Sequence, residues 1–137
     1  MKIGEWDSLG RARALLQRQL GQLDAAEYAA HVAVNNDSGR LRIMVATDVG
    51  LLDYTYAPVG GAEGAWILRG QVHRWVGVRG LRLQTDAQMD DDTEQVQEVW
   101  RLVAEEPKIE LSVTSEAGDK PIEGLLDFAR ACLQHAG

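Results

Sequence analysis

The sequence is short of the residues that cross-link a chain or carry it through a membrane. Cys132 is the one cysteine among 137 residues, so an intrachain disulfide is excluded and a reducing compartment is expected. The first residues lack the apolar run of a signal peptide, and no apolar run approaches the roughly 20 residues that cross a bilayer. The sequence therefore predicts a cytoplasmic protein without a membrane span.

Histidine is also scarce, and no pattern of nucleophiles or metal ligands accompanies it. An enzyme or a small-ligand-binding cup would pair His31 or His73 with an acid. The candidate acids are Asp48 and Asp53, but the spacing of these residues does not require them to meet. The acidic run that begins at Asp90 lacks the alternating pattern of a calcium loop. We therefore predict no catalytic residue, no metal and no cofactor, and keep the enzyme or ligand cup as an alternative.

The charges are unevenly distributed along the chain. Residues 86–110 hold nine acidic and two basic residues, which together account for the entire net charge of −7. Residues 69–82 hold four arginines and no acid. Because an acidic chain repels phosphates, we do not expect this protein to bind nucleic acid.

The basic stretch is the candidate partner-binding surface, called here the arginine strip. It comprises Arg69, His73, Arg74, Trp75, Arg79 and Arg82. Arginine and tryptophan are enriched at interface hot spots, because both bury a large area and keep a polar group. A protein partner at the arginine strip would present an acidic face. In the alternative interpretation, the arginines balance the acids of 86–110 on a neighbouring strand.

Length and periodicity predict one domain over 1–137. Its predicted parts are an N-terminal helix within 1–25, a β-rich body over 26–118 and a C-terminal helix over 119–135. We therefore predict an α+β fold, with an antiparallel sheet of about five to seven strands or a partly open barrel, an N-terminal helix and a C-terminal packing helix.

Both predicted helices place apolar residues at spacings of three and four. The first stripe starts at Leu9, just after the capping residues Asp7 or Ser8. The second helix starts near Asp119. Its predicted buried stripe is Ile122, Leu125, Leu126, Ala129 and Cys132 or Leu133.

Alternating apolar residues predict strands at 28–35, 41–46 and 51–56, joined by short turns as an antiparallel meander. The glycine-rich segment 58–64 lacks the lysine of a phosphate-binding loop and is interpreted as a connection.

The second half of the body is also rich in β pattern. Within residues 66–85, the alternating side chains of the strand pattern switch from even to odd positions near Gly80, which indicates a turn or bulge there. Residues 93–104 fit a helix and a strand almost equally, and we predict a strand. A clear strand follows at 109–113. Two aromatic residues are predicted to be core residues, Trp66 and Trp100.

Residues 41–52 form a hairpin pattern of an apolar strand, a Thr-Asp-Val-Gly turn and a second apolar strand. This pattern resembles the pleckstrin-homology-like barrel domain of bacterial type, and the resemblance would cover about 28–134. It implies that the C-terminal helix closes one open corner of a barrel. The basic first hairpin loop that binds phosphoinositides in that family is absent, because 36–40 is nearly neutral. The resemblance therefore implies a protein partner.

A strongly uneven surface charge without an assembled catalytic group predicts a non-enzymatic interaction module that binds a protein or peptide partner. Two alternatives stay open beside it, the enzyme or ligand cup and the binding of an anionic lipid headgroup. The sequence does not indicate an oligomeric state.

Overall fold

The fold is α+β, with antiparallel strands and one helix near each end, and this confirms the predicted fold class. The computed structural model describes residues 1–60 and 64–136. The chain divides into two compact units, Met1–Arg74 and Trp75–Gly137. The seven strands of the described residues form two sheets of four and three strands, and neither sheet closes into a barrel. The single domain over 1–137 stays a prediction.

The first unit contains helix α1 (Ala12–Leu23) and a sheet in the order β1-β2-β3-β4. Its strands are β1 (Glu27–Val34), β2 (Leu41–Thr47), β3 (Leu51–Pro58) and β4 (Trp66–His73). The meander of three strands was correctly predicted. Within the predicted connection 58–64, residues 61–63 lie outside the described part of the chain.

Helix α1 starts three residues later than its apolar stripe predicts. Leu9 is buried but belongs to a separate 3-10 turn, Asp7–Leu9. Gly10 then adopts a φ of 52°, a left-handed backbone that interrupts the helical path. The apolar period therefore continues through a break in the helix, which is why the sequence alone did not show it.

The core of the first unit lies between α1 and one face of the sheet, called here the α1 face. Leu16 and Leu20, four residues apart, place their side chains on the same side of the helix. They share a buried cluster with Ile43 and Val45 of the central strand β2. The hydroxyl of Tyr54 on β3 donates a hydrogen bond to Gln19 of α1 at 3.2 Å, which fixes the helix on the sheet.

The segment before α1 covers the outer edge of β1. The Ala30 N–H donates to the carbonyl of Met1 at 2.7 Å, and the Trp6 indole N–H donates to the Ala30 carbonyl at 3.1 Å. The Ile3 N–H donates to the Glu27 carboxylate. The outer edge of β1 is thus contacted at Glu27 and Ala30 by the segment before α1, whereas β4 at the opposite end of the sheet pairs with β3.

The second unit contains a sheet in the order β5-β6-β7 and helix α2 (Asp119–His135). Its strands are β5 (Arg82–Met89), β6 (Val96–Ala104) and β7 (Ile109–Thr114). The strand predicted at 93–104 is confirmed by β6, which pairs with both neighbours. The predicted interruption near Gly80 is also present, and Gly80 has a φ of 68°.

The predicted buried stripe of α2 is rotated from the observed one. Phe128 is fully buried and was missed, whereas Leu126 is half-buried and Leu133 is 46% exposed. Leu125, Ala129 and Cys132 are buried as predicted. Neither helix in the described part of the chain is long and apolar enough to cross a bilayer.

Candidate functional site

A pair of aromatic rings, the exposed Trp66 and the half-buried Tyr56, marks the candidate site in the first unit. Tyr56 of β3 and Trp66 of β4 both lie on the α1 face. Tyr56 is opposite Leu68, and Trp66 is opposite Pro58, so the two rings are diagonal neighbours. Their ring centroids are 5.3 Å apart and the ring planes are tilted by 37°. Trp66 is 39% exposed, so its prediction as a core residue is wrong. Trp100 of β6 is half-buried.

The two rings form one wall of a cleft of about 660 Å³, called here the aromatic cleft. Val34 and Leu41, at the facing ends of β1 and β2, form its floor. The turn between Ser8 and Arg11, just before α1, forms the opposite wall. The cleft therefore opens where the sheet extends beyond the start of α1.

The aromatic cleft is chemically suited to an apolar group with a negative charge beside it. Val34 is 41% exposed and Trp66 is nearly as exposed, so apolar surface remains accessible to solvent. Arg11 is the charged residue among the described lining residues. An aliphatic or aromatic side chain would bury apolar area against the rings, and an acidic neighbour would face the guanidinium group.

The opposite face of the first sheet, called here the second face, carries an ion pair. Arg42 of β2 donates two hydrogen bonds to the Asp53 carboxylate on β3, at 3.1 and 3.3 Å. Asp53 also borders a shallow depression of about 400 Å³ with Thr55 and Arg69. The Asp53 carboxylate is thus committed to Arg42.

The proposed pair of His31 with Asp53 is widely spaced, whereas His73 and Asp53 are diagonal neighbours on the adjacent strands β4 and β3. His31 of β1 is opposite Met44 on β2, which is in turn opposite Asp53, so one strand lies between the histidine and the acid. Two strand spacings amount to roughly 10 Å. Burial lowers the pKa of His31 to about 4, so its ring is neutral at physiological pH.

The second candidate acid, Asp48, lies in the turn between β2 and β3. Its carboxylate accepts a hydrogen bond from the Ala26 N–H at 2.7 Å, and its own N–H donates to the Ala26 carbonyl at 3.1 Å. His73 is at the far end of β4, opposite Leu51. Asp48 therefore closes a turn onto the start of β1.

The arginine strip is divided between the two units. Arg69, His73 and Arg74 belong to the first unit, and Trp75, Arg79 and Arg82 belong to the second. Arg69 is exposed on the second face of β4, opposite Thr55.

Within the second unit, two of the arginines lie beside acids of 86–110. A guanidinium nitrogen of Arg82 is 3.8 Å from the Glu105 carboxylate. Arg79 forms backbone hydrogen bonds with Glu106, with its N–H donating at 2.7 Å. The ion pair favours charge balance for Arg82, whereas the Arg79 bonds are main-chain bonds that do not involve its charge, and partner binding by the whole strip stays a prediction.

The candidate metal and thiol residues have local roles in the second unit. No group of three or more His, Cys, Asp or Glu side chains in the described residues is placed to hold a metal ion. Asp90 accepts a hydrogen bond from the Asp92 N–H at 2.9 Å, which closes a turn. Burial raises the pKa of the Cys132 thiol to about 12, so the nucleophilic thiolate is disfavoured.

Sequence reasoning missed the aromatic cleft because its walls come from three separated segments. The usable signal was Trp66, which begins a strand two residues after a glycine-rich segment. Comparisons with protein-family models, with curated proteins and with solved structures find no match to this chain, so its site is interpreted from its own geometry.

Proposed function

We propose that this protein is a non-enzymatic interaction module that binds an extended peptide segment of a partner protein in the aromatic cleft. The observation that carries this proposal is the Tyr56–Trp66 ring pair, with Trp66 exposed and Tyr56 half-buried, which lines a cleft of about 660 Å³. Tryptophan and tyrosine contribute strongly to binding, because they bury a large rigid surface at low entropic cost.

Charge supports an acidic partner. Arg11 lies in the wall of the cleft. Arg69 and Arg74 are exposed, and neither forms an ion pair within the described part of the chain. An acidic segment that approaches the first unit would therefore meet arginines that are available for pairing.

The alternatives receive less support from the geometry. For an enzyme that used His31 as its acid–base group, burial is unfavourable, because it lowers the pKa of that histidine to about 4. An anionic lipid headgroup would need clustered cations in the first hairpin turn. There the Asn35 side chain instead accepts hydrogen bonds from the N–H groups of Asp37 and Ser38.

The proposal is tested with a peptide library displayed on phage and selected on the full chain. We expect enriched peptides to share a large apolar residue next to an acidic one. By calorimetry, Trp66→Ala should weaken their binding by about tenfold, as for loss of a hot-spot side chain.

Ile67→Ala is the matched control, because Ile67 is the next residue of β4, is 38% exposed and points to the second face. It should leave the affinity within about twofold of that of the unmodified chain. Peptides without the shared pattern, or peptides that bind Trp66→Ala as tightly as the unmodified chain, would show that the aromatic cleft is not the binding site.

A further inference from the structure

We propose that the partner segment adds as a fifth strand to the outer edge of β4, and that its residues alternate between apolar and acidic. This inference rests on the proposed peptide-binding function and extends the binding site from Trp66, in the wall of the aromatic cleft, along the outer edge of β4. Strand addition would supply main-chain hydrogen bonds, and the alternating side chains would supply specificity.

The first step is the difference between the two edges of the first sheet. The outer edge of β1 is occupied by the segment from Met1 to Trp6, through hydrogen bonds to Ala30. Strand β4 forms the other end of the sheet and pairs with β3 over all eight of its residues without a bulge. It contains no proline or lysine, which are residues that commonly block strand addition.

The second step is the exposure of β4. All of its residues are exposed except Leu68 and His73, which are half-buried. Val72 is 41% exposed. A regular, accessible edge strand with unblocked apolar side chains is a template for another strand.

The third step is the chemistry of the two faces of β4. On the α1 face it presents Trp66, Leu68, Gly70 and Val72, and on the second face it presents Ile67, Arg69, Gln71 and His73. Side chains of an added strand lie beside those of β4 on the same face. The added strand should therefore be apolar on the α1 face and acidic beside Arg69.

Gly70 shows where an apolar side chain of the added strand would contact the sheet. A Cβ atom at Gly70 would lie 2.2 Å from the Tyr54 ring, so that ring covers the glycine on the α1 face. A partner side chain opposite Gly70 would meet the edge of the Tyr54 ring rather than a β4 side chain. We expect a branched aliphatic residue there, because it packs well against a ring across strands.

The test uses a synthetic peptide of alternating valine and glutamate, as long as β4, with the full chain. In an antiparallel strand every second N–H points away from the inner neighbour. We expect the peptide to slow hydrogen exchange, measured by NMR, at every second amide of β4 by about tenfold or more. The affinity should fall by about tenfold in Arg69→Glu.

Arg18→Glu is the matched control, because it makes the same charge change on the exposed side of α1 in the same unit. It should leave the affinity within about twofold. A peptide of alternating valine and lysine should bind Arg69→Glu more tightly than it binds the unmodified chain, because the charges are then exchanged.

Three results would overturn the inference: unchanged exchange of the β4 amides in the bound complex, equal affinities for Arg69→Glu and Arg18→Glu, or a concentration-dependent dimer that protects the β4 amides without peptide. If library peptides bind in a Trp66-dependent manner while β4 exchange is unchanged, strand addition is wrong and peptide binding in the aromatic cleft remains.

Discussion

Among the residues that the structure describes, Phe128 is the largest fully buried side chain, on the face of α2 that packs against β6 and β7. We expect Phe128→Ala to lower the free energy of unfolding by about 3–5 kcal/mol, because it removes buried apolar area and leaves a cavity. Urea unfolding followed by circular dichroism measures this. Leu133→Ala, at an exposed position of the same helix, should cost less than about 0.5 kcal/mol. Equal losses in the two variants would contradict the orientation of α2.

His31 makes the stability of the protein depend on pH. Burial lowers its pKa from 6.5 to about 4 in the folded chain, so between these values the unfolded chain binds more protons than the folded one. The free energy of unfolding should therefore fall as pH is lowered from about 6.5 towards about 4, by as much as about 3 kcal/mol.

The control for this pH dependence is His31→Gln, which stays neutral throughout. Glu27 acts in the opposite direction, because burial raises the pKa of its carboxyl group and protonation then favours the folded chain. The difference between the unmodified chain and His31→Gln removes the Glu27 contribution. A difference that does not change with pH would show that His31 is hydrated in the folded state.

At the scale of elements, the hydrogen bonds on the outer edge of β1 contribute to the stability of the protein. Trp6→Phe keeps an aromatic side chain, of smaller size, and removes the indole N–H that donates to the Ala30 carbonyl. We expect the variant to lose about 1 kcal/mol of stability in urea unfolding. Trp66→Phe, on the opposite edge strand, is the comparison and should change stability by less than half as much. A larger loss of stability in Trp66→Phe than in Trp6→Phe would show that the segment before α1 does not stabilise β1.

Elements with a strong local pattern were predictable, and their orientation was not. The strand predicted at 93–104 and observed at Val96–Ala104 fits a helix almost equally, and it was predicted because Trp100, Leu102 and Ala104 alternate with other residues as in a strand. In α2, by contrast, two overlapping stripes fit the period of 3.6, and the sequence pattern favoured Leu126 over Phe128. Trp66 is exposed because β4 is an edge strand, and edge position depends on strand order between distant segments, which local periodicity does not encode.

At the scale of the whole molecule, the distribution of the net charge of −7 determines how stability and peptide affinity should respond to salt. Besides the Arg82–Glu105 pair, Arg101 pairs with Asp86 at 3.3 Å, and both pairs are exposed. Exposed pairs contribute about 0–1 kcal/mol each, so stability should change little with salt. Peptide affinity should instead weaken as sodium chloride rises from about 50 to 500 mM, because screening acts on the arginines that attract an acidic partner.

The double variant Arg74→Glu with Arg79→Glu tests whether the charge of the arginine strip attracts a partner. We expect it to keep its thermal midpoint within a few degrees, to bind the selected peptides more weakly and to show a smaller salt dependence. A lowered midpoint with unchanged affinity and salt dependence would show that the arginine strip balances internal charge and does not attract a partner.

The four tryptophans give the protein an optical reporter of its own site. Trp6 and Trp66 belong to the first unit and Trp75 and Trp100 to the second, and Trp66 is the most exposed of the four. Its fluorescence should therefore be the most accessible to iodide quenching, and the Arg11 guanidinium beside the cleft attracts that anion. Occupation of the cleft by an apolar side chain would shield the indole from both water and iodide. Entry of a ligand is thus readable as a blue shift with reduced quenching, without any added label.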